Sequence, residues 1–393
     1  MPRRSWRDDE EKAVSPPPLK RRKLPDVQTG PTPVDSNVSS ADITIYSWNI
    51  NGIGPFVQQE ITSFFKPNDH GGSRTNATAD SNNLRDVLRR YQWPTMLLLQ
   101  EVKINPADAS TQRAIQRLLR TTQINTGSDE PSYVAHFCLP SDPHNARGFG
   151  RKIYGVCSIV REDFYEQEVA RMREVSWDAE GRFLICETNG SNGLPKLAVI
   201  NIYAVNGTDL PYKDSKTGEV VGTRHVRKLE VHRLLQGECR MLEDQGFAVV
   251  LAGDINIART SLDGHPNLRT KPPQHCLNRA DFEARFFKEA DTARSERGAK
   301  AAVAEPSVTG RCLGMIDTFR RLHRTRKGYT YYPRGVAFGS SCDRVDMILI
   351  SKAIEKSLVE ADIKQTPADR GPSDHVPLFA VLRFDKKPES TAF

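Results

Sequence analysis

Short apolar runs recur along the chain and alternate with segments in which apolar residues fall three and four apart. Ile43-Thr44-Ile45-Tyr46-Ser47-Trp48 is rich in β-branched and aromatic residues and predicts a strand. Thr95–Gln100, Val156–Val160, Phe183–Cys186 and Leu197–Tyr203 predict further strands, and Phe247–Gly253 is an apolar run that ends at glycine. Val345–Ile350 and Val376–Leu382 close the series. Helices are predicted over Leu84–Tyr91, Thr111–Arg120 and Val226–Gln245. Short strands mixed with helices predict an α/β fold in which two packed sheets are flanked by helices. Residues 41–387 are expected to form one domain without an internal repeat, and the polar stretches 67–83, 209–223 and 290–306 read as surface loops.

The first 40 residues break this pattern. They are rich in proline, serine and charge and poor in large apolar residues, so they are expected to be disordered, as is a short tail at 388–393. The run Pro16-Pro17-Pro18-Leu19-Lys20-Arg21-Arg22-Lys23-Leu24-Pro25 reads as a nuclear-import address or a non-specific DNA tether. The expectation is import, with the Lys20–Lys23 region meeting the import machinery and the protein working in the nucleus. The rest of the composition changes the picture modestly. Apolar residues at 38% suffice for a sizeable core, and a net charge of +7 suits a polyanionic partner. The seven cysteines are scattered and never form a Cys-x-x-Cys pair, which argues against a disulfide framework or a zinc site. No apolar run is long enough to span a bilayer, the basic N-terminus has no apolar core of a secretory signal, and a monomer is expected.

Polar residues cluster where several apolar strands end, the places at which a rigid scaffold usually holds a site. Asn49 and Asn51 follow the first strand, and Gln100 and Glu101 the second. Tyr203 and Asn206 follow a later one, and Asp254 and Asn256 follow the run that ends at Gly253. Arg344 and Asp346 open the next strand, and Ser373, Asp374 and His375 precede the last. Mg²⁺ takes hard oxygen ligands and commonly only one or two carboxylates, which Glu101 and Asp374 could supply. Asp254 could orient a water, and His375 could hydrogen-bond a phosphate oxygen while Asp346 holds its ring. Taken singly these residues are ordinary: an Asp before Asn is usually a turn, and a Glu after a strand is usually solvated. The signal is the set of polar groups at six strand ends.

Six motifs occur in order: Ser47-Trp48-Asn49-Ile50-Asn51-Gly52-Ile53, Leu99-Gln100-Glu101-Val102-Lys103, Asn201-Ile202-Tyr203-Ala204-Val205-Asn206, Gly253-Asp254-Ile255-Asn256-Ile257-Ala258, Asp343-Arg344-Val345-Asp346 and Ser373-Asp374-His375-Val376-Pro377. Together they resemble the endonuclease/exonuclease/phosphatase (DNase I-like) superfamily, and within it the exonuclease III-like abasic-site endonuclease branch. The resemblance implies a four-layered α/β sandwich, DNA as partner and Mg²⁺ as cofactor, with Mn²⁺ a substitute. It makes Glu101 the principal metal ligand, with Asn51, Asn49 and Asp374 beside the metal. Asp254 would position or deprotonate the attacking water, with Asn256 and Asn49 orienting it. Tyr203, Asn206 and His375 would contact the phosphate, with Asp346 partnering the histidine. Arg344, Tyr331 and Tyr332 would lie at the substrate, the tyrosines beside a sugar pocket.

The chain also departs from the pattern. Asn51 stands where many eukaryotic members carry aspartate, and Val205 where proline is frequent. Asp343 occupies a position that is tryptophan in vertebrate-type members, which predicts the loss of an apolar pocket wall. Arg147-Gly148-Phe149-Gly150-Arg151-Lys152 is basic enough to grip phosphates, and Asn267 and Asn278 are candidate DNA contacts. The expected activity is Mg²⁺-dependent incision of DNA 5′ to abasic sites, with 3′-5′ exonuclease or 3′-phosphodiesterase activity in addition. The alternatives are another hydrolase of the superfamily (a tyrosyl-DNA phosphodiesterase, a less selective DNase or a small-phosphoester phosphatase) and a nucleic-acid-binding protein that has lost catalysis.

Overall fold

A strand that shows apolar residues on both faces must be covered on both, and the central strands here are buried along their whole length. The computed structural model describes residues 42–57, 83–120, 130–146, 154–287 and 312–384. In chain order its strands are β1 (Asp42–Asn49), β2 (Met96–Gln100), β3 (Tyr133–Cys138), β4 (Val156–Arg161), β5 (Val169–Glu174), β6 (Phe183–Thr188), β7 (Leu197–Tyr203) and β8 (Pro211–Lys213). They continue as β9 (Val220–Thr223), β10 (Ala248–Asp254), β11 (Gly264–His265), β12 (Ile316–Asp317), β13 (Cys342–Asp343), β14 (Asp346–Ile350), β15 (Leu358–Ile363) and β16 (Leu378–Arg383). One six-stranded sheet runs β15-β16-β1-β2-β4-β3, the other β12-β14-β10-β7-β6-β5, and β8-β9 and β11-β13 are separate two-stranded ribbons.

Alternation along each strand divides the apolar residues between two layers. Ile43 and Ile45 of β1, Met96 and Leu98 of β2, and Val250 and Ala252 of β10 share one core cluster, which lies between the sheets. Their neighbours point outward. Tyr46, Trp48, Leu97 and Leu99 pack under the helices Leu84–Arg90 and Ala109–Leu119. Val249 and Leu251 pack under Arg224–Asp244 and Gln274–Phe286 through Val231, Leu235, Phe282 and Phe286. The result is the four-layered α/β sandwich expected. One polar tie crosses the inner layer: Gln100 Nε2 donates to Asn201 Oδ1 at 2.8 Å, and Asn201 Nδ2 donates to the Cys157 carbonyl at 3.0 Å. Gln100 is therefore a buried structural residue rather than part of an open site.

Two parallel pairs set up the functional end. β1 runs parallel to β2, and β7 parallel to β10, while β14 and β16 run antiparallel to β10 and β1. The C-terminal ends of four strands and the N-terminal ends of two therefore meet at one edge of the sandwich.

Among the expected elements, the stretch 209–223 is not a plain loop but holds the β8-β9 ribbon. The 67–82 and 290–306 stretches, the first 40 residues, the basic run 147–152 and the tail at 388–393 lie outside the described residues. The seven cysteines are unpaired, and among the described residues no helix is long and apolar enough to cross a membrane.

Candidate active site

Asp254 ends β10, and the residue before it has to be glycine. A Cβ at Gly253 would lie 1.9 Å from the Ile202 carbonyl oxygen, so any side chain would push β10 off β7. Asp254 is buried, and its carboxylate is fixed from two sides. Oδ2 accepts from Asn49 Nδ2 at 3.0 Å, and Oδ1 accepts from the Asn256 backbone N–H at 2.8 Å. The β10-β14 register sets Asp346 directly opposite. Asp346 Oδ2 lies 2.7 Å from His375 Nδ1, which turns His375 Nε2 toward Asp254 Oδ2 at 4.0 Å. Ser373 supports the turn that carries the histidine: its hydroxyl donates to the Asn49 carbonyl at 2.6 Å and accepts from the His375 N–H at 3.0 Å.

The second half of the site comes from β1 and β2. Asn49 Nδ2 also donates to Glu101 Oε1 at 3.1 Å, so one amide bridges both carboxylates. The Tyr203 hydroxyl faces the Glu101 carboxylate across the cavity. Lys103 Nζ lies 2.9 Å from Glu101 Oε2 and also donates to Asn51 Oδ1. Asn51 Nδ2 donates to Asp374 Oδ1 at 3.0 Å. Asn51, Glu101, Lys103 and Asn256 all have φ between 51° and 55°, so the turns leaving three strands hold non-glycine residues in a costly left-handed conformation at the same place.

The electrostatics follow from burial and pairing. Burial opposes ionisation of Glu101, but the Lys103 ammonium and the Tyr203 hydroxyl hold its carboxyl below the usual range. Asp254 is pushed up to about 7 by burial and by the facing Asp346, against the pull of His375. Burial alone would lower His375, but Asp346 and then Asp254 raise it to about 10. The two carboxylates thus favour the cationic imidazole, and Asp254 is a carboxyl with a proton affinity near neutrality. Lys228, buried on the helix Arg224–Asp244, donates to the Asn256 carbonyl at 2.8 Å, and burial brings its ammonium down to about 7.

A cavity of about 250 Å³ opens here. Glu101, Tyr203, Asn206, Asp254, Asn256, Tyr331, Asp374 and His375 line it, while Asn49, Asn51 and Asp346 support it from behind. Asn49 spends both amide protons on carboxylates and its oxygen on the Asn51 N–H, so it orients Asp254 and Glu101 together. A divalent cation fits the donor set nearby. Glu101 Oε2 and Asn51 Oδ1 already converge on one positive charge, the Lys103 ammonium, and Asp374 adjoins them. Asp254, Asp346 and His375 also present ligand atoms within 4.8 Å of one another, but their internal hydrogen bonds read as an oriented acid–imidazole pair.

Two expected substrate contacts are corrected. Arg344 is fully buried, its guanidinium donating to Asp263 Oδ1 at 2.7 Å and to Asp317 at 3.2 and 2.7 Å. Tyr332 is buried in the inner core and stacks on Phe338 at 4.1 Å; only Tyr331 faces the cavity, with its ring 5.0 Å from that of His375. Of the DNA-contact candidates, Asn278 lines the cavity and bonds His225, whereas exposed Asn267 does not reach it. Arg344→Met is expected to cost about 3 kcal/mol in urea unfolding, because two buried carboxylates lose a partner. Burial would raise Asp263, but Arg344 and Arg320 bring it down to about 2. Its contribution should therefore be complete above about pH 4 and lost as pH falls through about 2.

The sequence model of the "Endonuclease/Exonuclease/phosphatase family" matches residues 46–375. A DNA-(apurinic or apyrimidinic site) endonuclease 2 from Xenopus laevis is 28% identical over 276 residues, 64% of this chain and 47% of that protein. The chain thus spans about half the length of that relative. Among solved structures, an AP endonuclease from Archaeoglobus fulgidus is similar with a TM-score of 0.53 at 17% identity, over 86% of this chain and 99% of that one. The catalytic domain of Xenopus laevis APE2 is similar with a TM-score of 0.55 at 18% identity, over 88% and 94%.

Proposed function

Because the chain belongs to the Endonuclease/Exonuclease/phosphatase family and is a phosphodiester-cleaving hydrolase, we propose that it is a Mg²⁺-dependent DNA repair nuclease that incises 5′ to abasic sites. The observation that carries the reading is Asp254, buried at the end of β10, held by Asn49 and Asn256 and facing His375 Nε2 across 4.0 Å. That gap suits a water or phosphate oxygen between a proton acceptor and a cationic donor. Asp254 takes the proton of the attacking water as the new P–O bond forms and the bond to the leaving oxygen breaks. His375 donates through Nε2 to a phosphate oxygen, and Tyr203 and Asn206 contact the same group. Glu101, Asp374 and Asn51 Oδ1 would hold the metal, which when bound draws charge from a phosphate oxygen. The names of the similar proteins favour damaged DNA as the substrate.

The test is a labelled duplex bearing one abasic analogue, beside an undamaged duplex, with Mg²⁺ and with EDTA. A single Mg²⁺-dependent cut 5′ to the lesion is expected. Equal cutting of both duplexes would leave a general nuclease, and no cutting would reject the substrate.

Glu101→Gln should raise the Mg²⁺ concentration for half-maximal activity by at least about tenfold, the scale seen even for partners of metal ligands. Duplex binding in EDTA should stay near that of the parent. A normal Mg²⁺ titration would remove Glu101 from the metal site.

A further inference from the structure

The cavity around Asp254 is not lined by acids alone, since Lys228, Arg269 and Arg279 also face it. Two arginines near β13 behave in opposite ways. Arg344 is buried and its guanidinium is committed to Asp263 and Asp317. Arg269 has a side chain 54% exposed, and among the described residues its ion pair is to Asp343 Oδ2 at 3.0 Å. A guanidinium has five N–H donors, so this anchor leaves most of the fork free at the cavity.

The anchor is well placed. The side chain of Asp343 is 8% exposed, and its backbone is tied to Tyr331 in both directions, at 3.1 and 2.8 Å. Tyr331 in turn packs against His375. The segment carrying Arg269 is also braced, because Arg279 donates to the carbonyls of Ala258 and Arg269, both at 2.7 Å. Where an apolar wall was expected to be missing at Asp343, the structure has an aimed cation. A neutral sugar gains little from an ion pair, whereas a phosphate meets a planar donor fork that matches it in two bonds. A nucleic-acid strand with one phosphate at His375 carries others on either side of it.

We infer that Arg269 binds a strand phosphate flanking the one being cut and that Asp343 is the positioning residue that aims it. The inference rests on the proposed nucleic-acid phosphodiesterase activity. It is tested with the full chain on the abasic-analogue duplex, with initial rates in Mg²⁺ at a series of KCl concentrations. Arg269→Ala should raise KM about tenfold, more than it lowers kcat, the scale of one charge-assisted hydrogen bond. The slope of log(kcat/KM) against log[KCl] should become shallower by about one, as one phosphate contact is lost. Asp343→Asn leaves the Arg269 cation in place but removes the carboxylate that aims it, so KM should rise while the slope keeps its Arg269 contribution. Parental KM and slope in Arg269→Ala would overturn the inference, as would losses confined to kcat in both variants. If the parent cuts no duplex, the activity reading fails instead. Anisotropy of the same duplex in EDTA then decides the inference separately, with an unchanged salt slope in Arg269→Ala again overturning it.

Discussion

Asp254→Asn should lower kcat on the preferred duplex by about 10³- to 10⁴-fold, at the upper end of what a positioned proton acceptor contributes. The substitution keeps size and shape, so a large loss would report chemistry. It removes a cavity carboxyl with a proton affinity near neutrality; Glu101 is held low, His375 is held high, and Lys228, also near neutrality, donates to the Asn256 carbonyl. It also puts an amide where two donors, Asn49 Nδ2 and the Asn256 N–H, now converge on two acceptors. Stability should move the other way. A carboxyl whose folded-state proton affinity is raised weighs against folding when ionised; that burden is absent below about pH 4 and complete above about pH 7. The variant should therefore melt no lower than the parent at pH 8, and its advantage should shrink toward pH 4. A kcat reduced only a few fold would give the proton to another acceptor, and a collapse in melting temperature would make the activity loss uninformative about mechanism.

This division between chemistry and stability explains which parts of the molecule were legible in the sequence. Strands buried on both faces, such as β2, β7 and β10, are unbroken apolar runs and were readable as strands. The edge strands β3, β5 and β15 are half exposed, carry no such run and were missed. The proposed catalytic groups sit one or two residues beyond the readable strands, so Asp254, Glu101 and His375 came with them. Tyr331 and Tyr332 show the limit: on extended backbone one of two neighbours must face the cavity and the other the core, and composition does not say which. Arg344 was misplaced because its partners, Asp263 and Asp317, are far away in sequence and meet it only through the fold. Lys228 left a signal that went unused. It lies one turn before the buried Val231 on the apolar stripe of its helix, a position where a lysine needs a reason. Lys103 and Arg269 left none, since their roles depend on which carboxylate each one meets.

His375→Ala should lower kcat by at least about 10²-fold, the scale for removing one preorganised donor at a transition state. The structure says how the donor is prepared. Asp346 takes Nδ1 at 2.7 Å and holds the ring, and Tyr331 packs against it. Asp346 and Asp254 together keep it protonated. The Trp48 indole bonds the His375 backbone carbonyl at 3.0 Å, an attachment that the alanine variant retains, so the loop should stay in place. Asp346 itself is buried and reaches the cavity only through the imidazole. If it acts by positioning His375, removing it should matter only while the histidine is present. Asp346→Ala should lower kcat substantially in the parent, yet the double variant with His375→Ala should be about as active as His375→Ala alone. Fully multiplicative losses would mean that Asp346 has an independent role. A His375→Ala enzyme within a few fold of the parent would place the imidazole outside the chemistry and leave phosphate charge to the Arg269 side of the cavity.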